Sequence, residues 1–244
     1  MTNFYYEKDA DIAALAGQSL AVVGYGNQGR SWALNLRDSG LDPHVCVRDD
    51  ETRRHAEADG FSVGDIAAAQ DADIACLLVP DDAIPQLGLA GRDGRLSIIA
   101  SGYCYAFGRY DPAGDQAMIA PRMLGPEVRN CYCEGTGFIT ALGVQRDDTG
   151  TTLARTLAVA KALGGLREGA IEMTPYQEAL LDLAVEQVLS PALTHVNGSF
   201  VATMLEYGIP LEAILTELFL SGEVERNFGM LRTEGFVAQL EHHS

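Results

Sequence analysis

Positive charge is what this chain has least of. Lysine and arginine number 17 against 34 aspartates and glutamates, a formal net charge of −17. So acidic a chain offers no basic face to a phosphate backbone or to an anionic membrane, so neither nucleic acid nor membrane is expected as a partner. An anionic small molecule could be held only by local arginines, lysines or a metal ion. Cysteines are few: Cys46, Cys76, Cys104, Cys131 and Cys133. Their odd count and the lack of any CxxC pair argue against a disulfide framework and a zinc site, leaving small core or surface residues. Met1-Thr2-Asn3-Phe4 has neither a basic stretch nor an apolar one behind it, so no signal peptide is expected. No apolar run is long enough to span a bilayer. The expectation is a soluble, cytoplasmic protein without repeats or low-complexity segments.

What the chain does have is an ordinary apolar content, 47% of 244 residues, enough for one large or two modest domains. Its most informative run is Leu20-Ala21-Val22-Val23 followed by Gly24-Tyr25-Gly26-Asn27-Gln28-Gly29 and a helix-like segment ending at Ser39-Gly40. A strand, a GxGxxG turn and a helix in that order form a dinucleotide-binding unit. The first glycine permits the tight turn, the second admits a pyrophosphate, and the third lets helix and strand pack closely. The helix N-terminus then offers free N–H groups and the positive end of its dipole to the phosphates.

The pattern continues as alternating strands and helices. Strand-like runs fall at 44–47, 61–63, 73–79, 96–100, 117–120 and 137–144, with helices at 51–60 and 66–70. Such alternation predicts an α/β fold with a doubly wound parallel Rossmann sheet, whose ligand crevice lies at the carboxyl ends of the strands. Pro80, Asp81, Ser101 and Pro121 would surround that crevice. Beyond Asp147-Asp148-Thr149-Gly150 strand signals fade. Helices are expected near 151–163, 175–189, 192–206, 210–220 and 222–234, giving residues 1–147 as the dinucleotide-binding domain and 148–244 as a helical domain. Leu180, Leu181, Leu183, Ala184, Val185, Val188 and Leu189 make one helix apolar almost all round, which predicts burial and a homodimer through this half.

Asp182 and Glu186 stand four apart in Leu181-Asp182-Leu183-Ala184-Val185-Glu186-Gln187, with Glu178 one turn earlier. On a helix they share a face. Paired carboxylates are hard oxygen ligands suited to Mg²⁺, and the same spacing also describes a solvated acidic stripe. His44, His55, His195 and the His242-His243 pair are read as surface or core residues.

The run GYGNQGRSWALNLRDSG at 24–40 resembles the cofactor loop of the ketol-acid reductoisomerases. So do the opening 4–11, Leu77-Leu78-Val79-Pro80-Asp81, Ile119-Ala120-Pro121 and Glu134-Gly135-Thr136-Gly137. The resemblance implies a Rossmann domain followed by an intertwined helical one. It also implies Mg²⁺-dependent alkyl migration in a 2-acetohydroxy acid, then reduction by a nicotinamide cofactor, as in branched-chain amino acid biosynthesis. Asp182-Leu183-Ala184-Val185-Glu186-Gln187 matches the family's DLxxEQ metal pattern. Of two glutamates on a later helix, Glu217 matches the first, while Ser221 stands at the second. The implied metal set is therefore Asp182, Glu186 and Glu217. Where the family has His-Gly-Phe and Ala-Pro-Lys, this chain has Ser101-Gly102-Tyr103 and Ala120-Pro121-Arg122. Serine cannot relay protons near neutral pH as histidine can, and arginine stays protonated.

The resulting expectation is an NAD(P)H-dependent oxidoreductase acting on a small keto or acetohydroxy acid. Asp182, Glu186, Arg122 and Ser101 would carry the chemistry. Gly24, Tyr25, Gly26, Asn27, Gln28, Gly29, Arg48, Asp49, Pro80 and Asp81 would hold the cofactor. NADH is favoured over NADPH, because Arg48-Asp49-Asp50-Glu51 brings three carboxylates to the adenine ribose. The alternatives are a non-isomerising C=O or C=N reductase of specialised metabolism and a non-catalytic dinucleotide-binding dimer. Family members continue past the segment resembling Leu240–Ser244, so the chain is expected to end early.

Overall fold

In the computed structural model, which describes residues 2–235, the chain divides into two compact units, 1–182 and 183–244. The first is built on nine strands: β1 (Phe4–Tyr5), β2 (Leu20–Val23), β3 (Pro43–Cys46), β4 (Val63–Gly64), β5 (Ile74–Leu77), β6 (Leu96–Ile99), β7 (Asp115–Pro121), β8 (Thr140–Arg146) and β9 (Ala170–Glu172). Their order across the sheet is β1-β9-β8-β7-β6-β5-β2-β3-β4. Short apolar runs such as Ile74–Leu77 form central strands because both faces are covered. Alternate residues point to opposite faces. Val22, Ile98 and Leu142 join Trp32, Leu36 and Leu157 on one side, and Val23, Ile99 and Met118 join Tyr105 on the other.

Helix α1 (Asn27–Asp38) leaves the end of β2 and buries Trp32, Ala33 and Leu36. Helices α2 (Glu51–Ala58), α3 (Tyr103–Ala106), α4 (Gly125–Glu134), α5 (Thr152–Ala162) and α6 (Pro175–Ala184) follow in turn. The strand order reverses beside β2: the chain runs outward through β3 and β4, then returns to β5 on the other side. Ligand crevices in open α/β sheets open at such a switch, beyond the strands' carboxyl ends.

The sheet is parallel from β4 through β7 but not throughout. β8 runs antiparallel to β7, and β1 runs antiparallel to β9. The reason lies in α4, which does not carry the chain back along the sheet. It packs on α1, where Ser31 Oγ donates to Gly125 O at 2.7 Å and Asn35 Nδ2 to Val128 O at 3.3 Å. The chain re-enters the sheet from the end at which it left.

The sequence pattern put the domain boundary at 147/148, whereas the compact units meet at 182/183. Residues 148–182 join the sheet unit because β9 pairs with β8 and α5 docks through a buried ion pair between Arg155 and Asp115. Asp115 also accepts from the backbone N–H groups of Asp148 and Thr149. β9 is only three residues long, too short to show an alternation.

The second unit is helical. It holds α7 (Ser190–Glu206), α8 (Leu211–Leu215) and α9 (Glu223–Glu234), with π-helical turns at Val185–Leu189 and Thr216–Leu220. Its apolar side chains stay open in the single chain: Leu189, Leu193, Val196, Phe200, Phe219 and Phe228 are exposed. In the single chain Leu180, Leu181 and Val188 of the helix over 180–189 are at least half exposed, while Leu183 and Val185 are half-buried. A 62-residue unit of short helices has too little interior to enclose them all. Among the described residues no helix is long and apolar enough to cross a membrane. His242, His243 and Ser244 lie outside the described residues.

Candidate functional site

Two cavities open at the carboxyl edge of the first unit, on either side of the glycine loop. One, about 410 Å³, is lined by Gly24, Tyr25, Gly26, Arg48, Asp50, Thr52, Val79 and Pro80. The other, about 380 Å³, is lined by Gly26, Asn27, Gln28, Pro80, Asp81, Ala100 and Ser101. Both share Gly26, Leu78, Val79 and Pro80, so they adjoin across the loop. A dinucleotide, with two nucleoside ends joined by a pyrophosphate, has that shape.

The loop's conformation follows from its glycines. Gly24 adopts φ +96°, and a Cβ there would stand 2.5 Å from Leu78 O. A Cβ on Gly29 would strike the Gly24 carbonyl, so α1 can start against the turn only without a side chain. Gly26 precedes the first turn of α1 and meets nothing within 4 Å, leaving open space beside the helix N-terminus. Tyr25 lines the first cavity. Its ring is buried edge-on to Phe61, and its hydroxyl donates to Asp59 at 2.7 Å. Burial, then that bond, pushes the phenol's pKa far up. Gln28 is held by Trp32 Nε1 at 3.1 Å and donates to Met123 O at 3.2 Å.

At the ribose end, Asp49 is almost fully exposed and pairs with Arg53 at 3.8 Å. Asp50, one residue on, lines the cavity instead. Its Oδ1 caps α2 by accepting from Thr52 N at 2.9 Å, and Arg48 stands 3.3 Å from its Oδ2. The Thr52 bonds hold its carboxyl below the usual carboxylate range. The sequence brings Asp50 to the ribose only as one of three carboxylates and does not mark Thr52, although Asp-x-Thr ahead of a helix is a capping signal for both.

At the other end, Asp81 and Ser101 lie together. Ser101 and Asp81 line the same cavity, and the Ser101 hydroxyl accepts from Tyr103 N at 3.2 Å. Burial raises the Asp81 pKa, against the lowering effect of Ser101 and of Cys104, whose thiol lies 3.2 Å from Asp81 O. The next residue, Gly102, packs against the Pro175 carbonyl, where a Cβ would collide, and so seats the turn on the start of α6.

Arg122, at the end of β7, joins this turn to α6. Its Nη1 donates to Glu178 Oε1 at 2.7 Å and its Nη2 to Asp182 Oδ1 at 2.8 Å. Glu178 Oε2 accepts from Gly102 N at 2.7 Å. Glu178 is only 2% exposed, while Asp182 and Arg122 are each about a third exposed. Burial raises the Glu178 pKa, and the Gly102 bond opposes it. The structure thus brings Arg122, Asp182, Ser101 and Asp81 to one edge of the first unit, with Glu178 as an anchor that the sequence marked only as a neighbour on the acidic stripe. Glu186 and Glu217 are exposed residues of the π-helical turns in the second unit. Among the described residues no three His, Cys, Asp or Glu side chains are grouped as a metal cluster.

The chain matches a family model described as acetohydroxy acid isomeroreductase, NADPH-binding domain, over residues 14–169. It is 40% identical to a ketol-acid reductoisomerase (NADP(+)) of Caldivirga maquilingensis, across 89% of this chain and 69% of that protein. Identity is 35% to a ketol-acid reductoisomerase (NAD(P)(+)) of Metallosphaera sedula, across 98% and 74%. A solved structure of an NADH-preferring ketol-acid reductoisomerase from an uncultured archaeon superposes with a TM-score of 0.87 at 28% identity, covering 98% of this chain and 76% of that one.

Proposed function

Because the chain belongs to the ketol-acid reductoisomerase family, we propose that it is an NAD(P)H-dependent oxidoreductase that reduces a small keto acid or imine faster than it isomerises an acetohydroxy acid. The observation that carries this reading is the fixed Arg122, held between Glu178 and Asp182 beside a Ser101 that stands where the family has histidine. Isomerisation asks for a base at a substrate hydroxyl. Reduction asks for a positioned acceptor, a polarised double bond and a proton.

The nicotinamide, when bound, supplies the hydride. The residues of this chain do the rest. The Gly24–Gly29 backbone and the N-terminus of α1 receive the pyrophosphate. Asp50 accepts from a free ribose 2′-OH, which favours NADH, since its carboxylate would repel a 2′-phosphate. Asp81 and Ser101 stand where a proton can pass to the reduced oxygen or nitrogen. Arg122 orients an anionic or carbonyl oxygen without acting as a base.

The carboxylate of Asp182 is partly open to solvent and is a hard donor, so its chemistry fits Mg²⁺. An ion held there would supply Lewis-acid polarisation of substrate oxygens. The exposed apolar helices of the second unit support assembly as a homodimer through that half.

Two measurements test the reading. Parallel titrations should give tighter binding of NADH than of NADPH; the reverse order removes the assignment of Asp50. Comparison of kcat/KM at saturating Mg²⁺ should favour a pre-formed 3-hydroxy-2-keto acid or an imine over 2-acetolactate, by about 10²-fold if the replaced histidine was a proton-transfer residue. Faster turnover of 2-acetolactate would establish Ser101 and Arg122 as competent replacements.

A further inference from the structure

We propose that Arg122 is the resident cation of the Asp182 carboxylate and makes this chain a weak binder of divalent metal there. The inference rests on the reading of Asp182 as a metal-capable carboxylate and concerns what already occupies it. Arg122 is held at both ends of its fork. One arm meets Glu178 Oε1 at 2.7 Å, and the other meets Asp182 Oδ1 at 2.8 Å. The Glu178 arm cannot let go cheaply. That carboxylate is 2% exposed, its second oxygen is committed to Gly102 N–H, and departure of the guanidinium would strand it away from water. The Asp182 arm is therefore held in place by a contact one helical turn away, four residues earlier on α6.

A lysine in this place would behave differently. Its ammonium is a point charge on a flexible stem, free to serve one carboxylate and leave the other, whereas the guanidinium is a rigid planar fork that stays protonated. A divalent ion approaching Asp182 here meets a fixed positive charge and finds one carboxylate oxygen taken. The occupancy of Asp182 by Mg²⁺ is thus set by Arg122.

Calorimetric titration of MgCl₂ into the full-length protein tests this, with NADH binding by fluorescence as the check that each variant is folded. Arg122→Met should bind Mg²⁺ at least about tenfold more tightly than wild type, a difference of about 1.4 kcal/mol. The gain should vanish when Asp182→Asn is added. Should Arg122→Met fail to fold because Glu178 is stranded, Arg122→Met with Glu178→Gln removes the buried charge and the same comparison applies. Equal affinity in wild type and the Arg122 variant, or a gain that survives Asp182→Asn, overturns the inference while leaving the metal reading intact. No Mg²⁺ binding in any variant overturns both.

Discussion

A single methyl group is enough to probe the cofactor cradle. A Cβ on Gly29 would strike the Gly24 carbonyl, so Gly29→Ala must push α1 away from the turn that receives the pyrophosphate. NADH affinity should fall by at least tenfold and stability by about 1–3 kcal/mol, measured by cofactor titration and thermal melting; unchanged affinity would show that the turn yields more easily than its contacts indicate. These glycine roles were legible in the sequence because the motif fixes backbone geometry, whatever the side chains around it. Side-chain roles were less so. Of two adjacent aspartates, Asp49 faces solvent and Asp50 lines the cavity, a choice made by the cap of α2. Arg122 was identifiable as a departure from the family, but its partner Glu178 was not, since no spacing relates residues 56 apart in the chain. A second residue-scale outcome follows from that partnership. Glu178→Gln should loosen Arg122 and raise KM for a keto acid more than it lowers kcat, because it removes a support and no reacting group. A loss confined to kcat would place Glu178 in the chemistry itself.

At the scale of elements, one carboxylate ties three pieces of the nucleotide unit together. Asp59, just past α2, accepts from Tyr25 of the glycine turn at 2.7 Å and pairs with Arg30 of α1 at 2.8 Å. The Arg30 bond first, then the Tyr25 bond, lowers its pKa, against the opposing effect of burial. A depressed folded-state pKa means that the contribution to stability is complete above the ordinary carboxylate value, about 3.9, and is lost as pH falls through the folded one. Asp59→Asn should therefore cost about 1–2 kcal/mol at pH 7, and the difference should shrink under acid; melting curves of both proteins across pH measure it. A gap independent of pH would assign the loss to packing. The elements were mostly readable: helices expected at 151–163 and 222–234 are found at Thr152–Ala162 and Glu223–Glu234. The reversed direction of β8 was not, because strand orientation depends on where α4 docks. Nor were β1 and β9, whose two and three residues carry no periodicity.

For the whole molecule, the two units differ in how they satisfy their apolar residues. The first encloses them on both sides of a sheet. The second leaves Leu193, Val196 and Phe200 of α7 open, together with Phe219 and Phe228. Sedimentation at micromolar concentration should find a dimer, and Val196→Glu with Phe200→Glu should shift it toward monomer while NADH binding persists. A wild-type monomer would remove the assignment of the helical half to self-association. The sheet of the first unit has a consequence of another kind. Its outermost strand, β1, is synthesised well before β9, its partner among the described residues, and Tyr5 OH meets Glu172 across a separation of 167 residues. At roughly 5–20 residues per second, β1 waits about 8–30 s on the ribosome before β9 exists. During that interval the nucleotide-binding strands β2 to β7 can already assemble, so the nascent chain acquires its cofactor cradle before its sheet is finished, and β1 closes the edge as one of the last steps of folding.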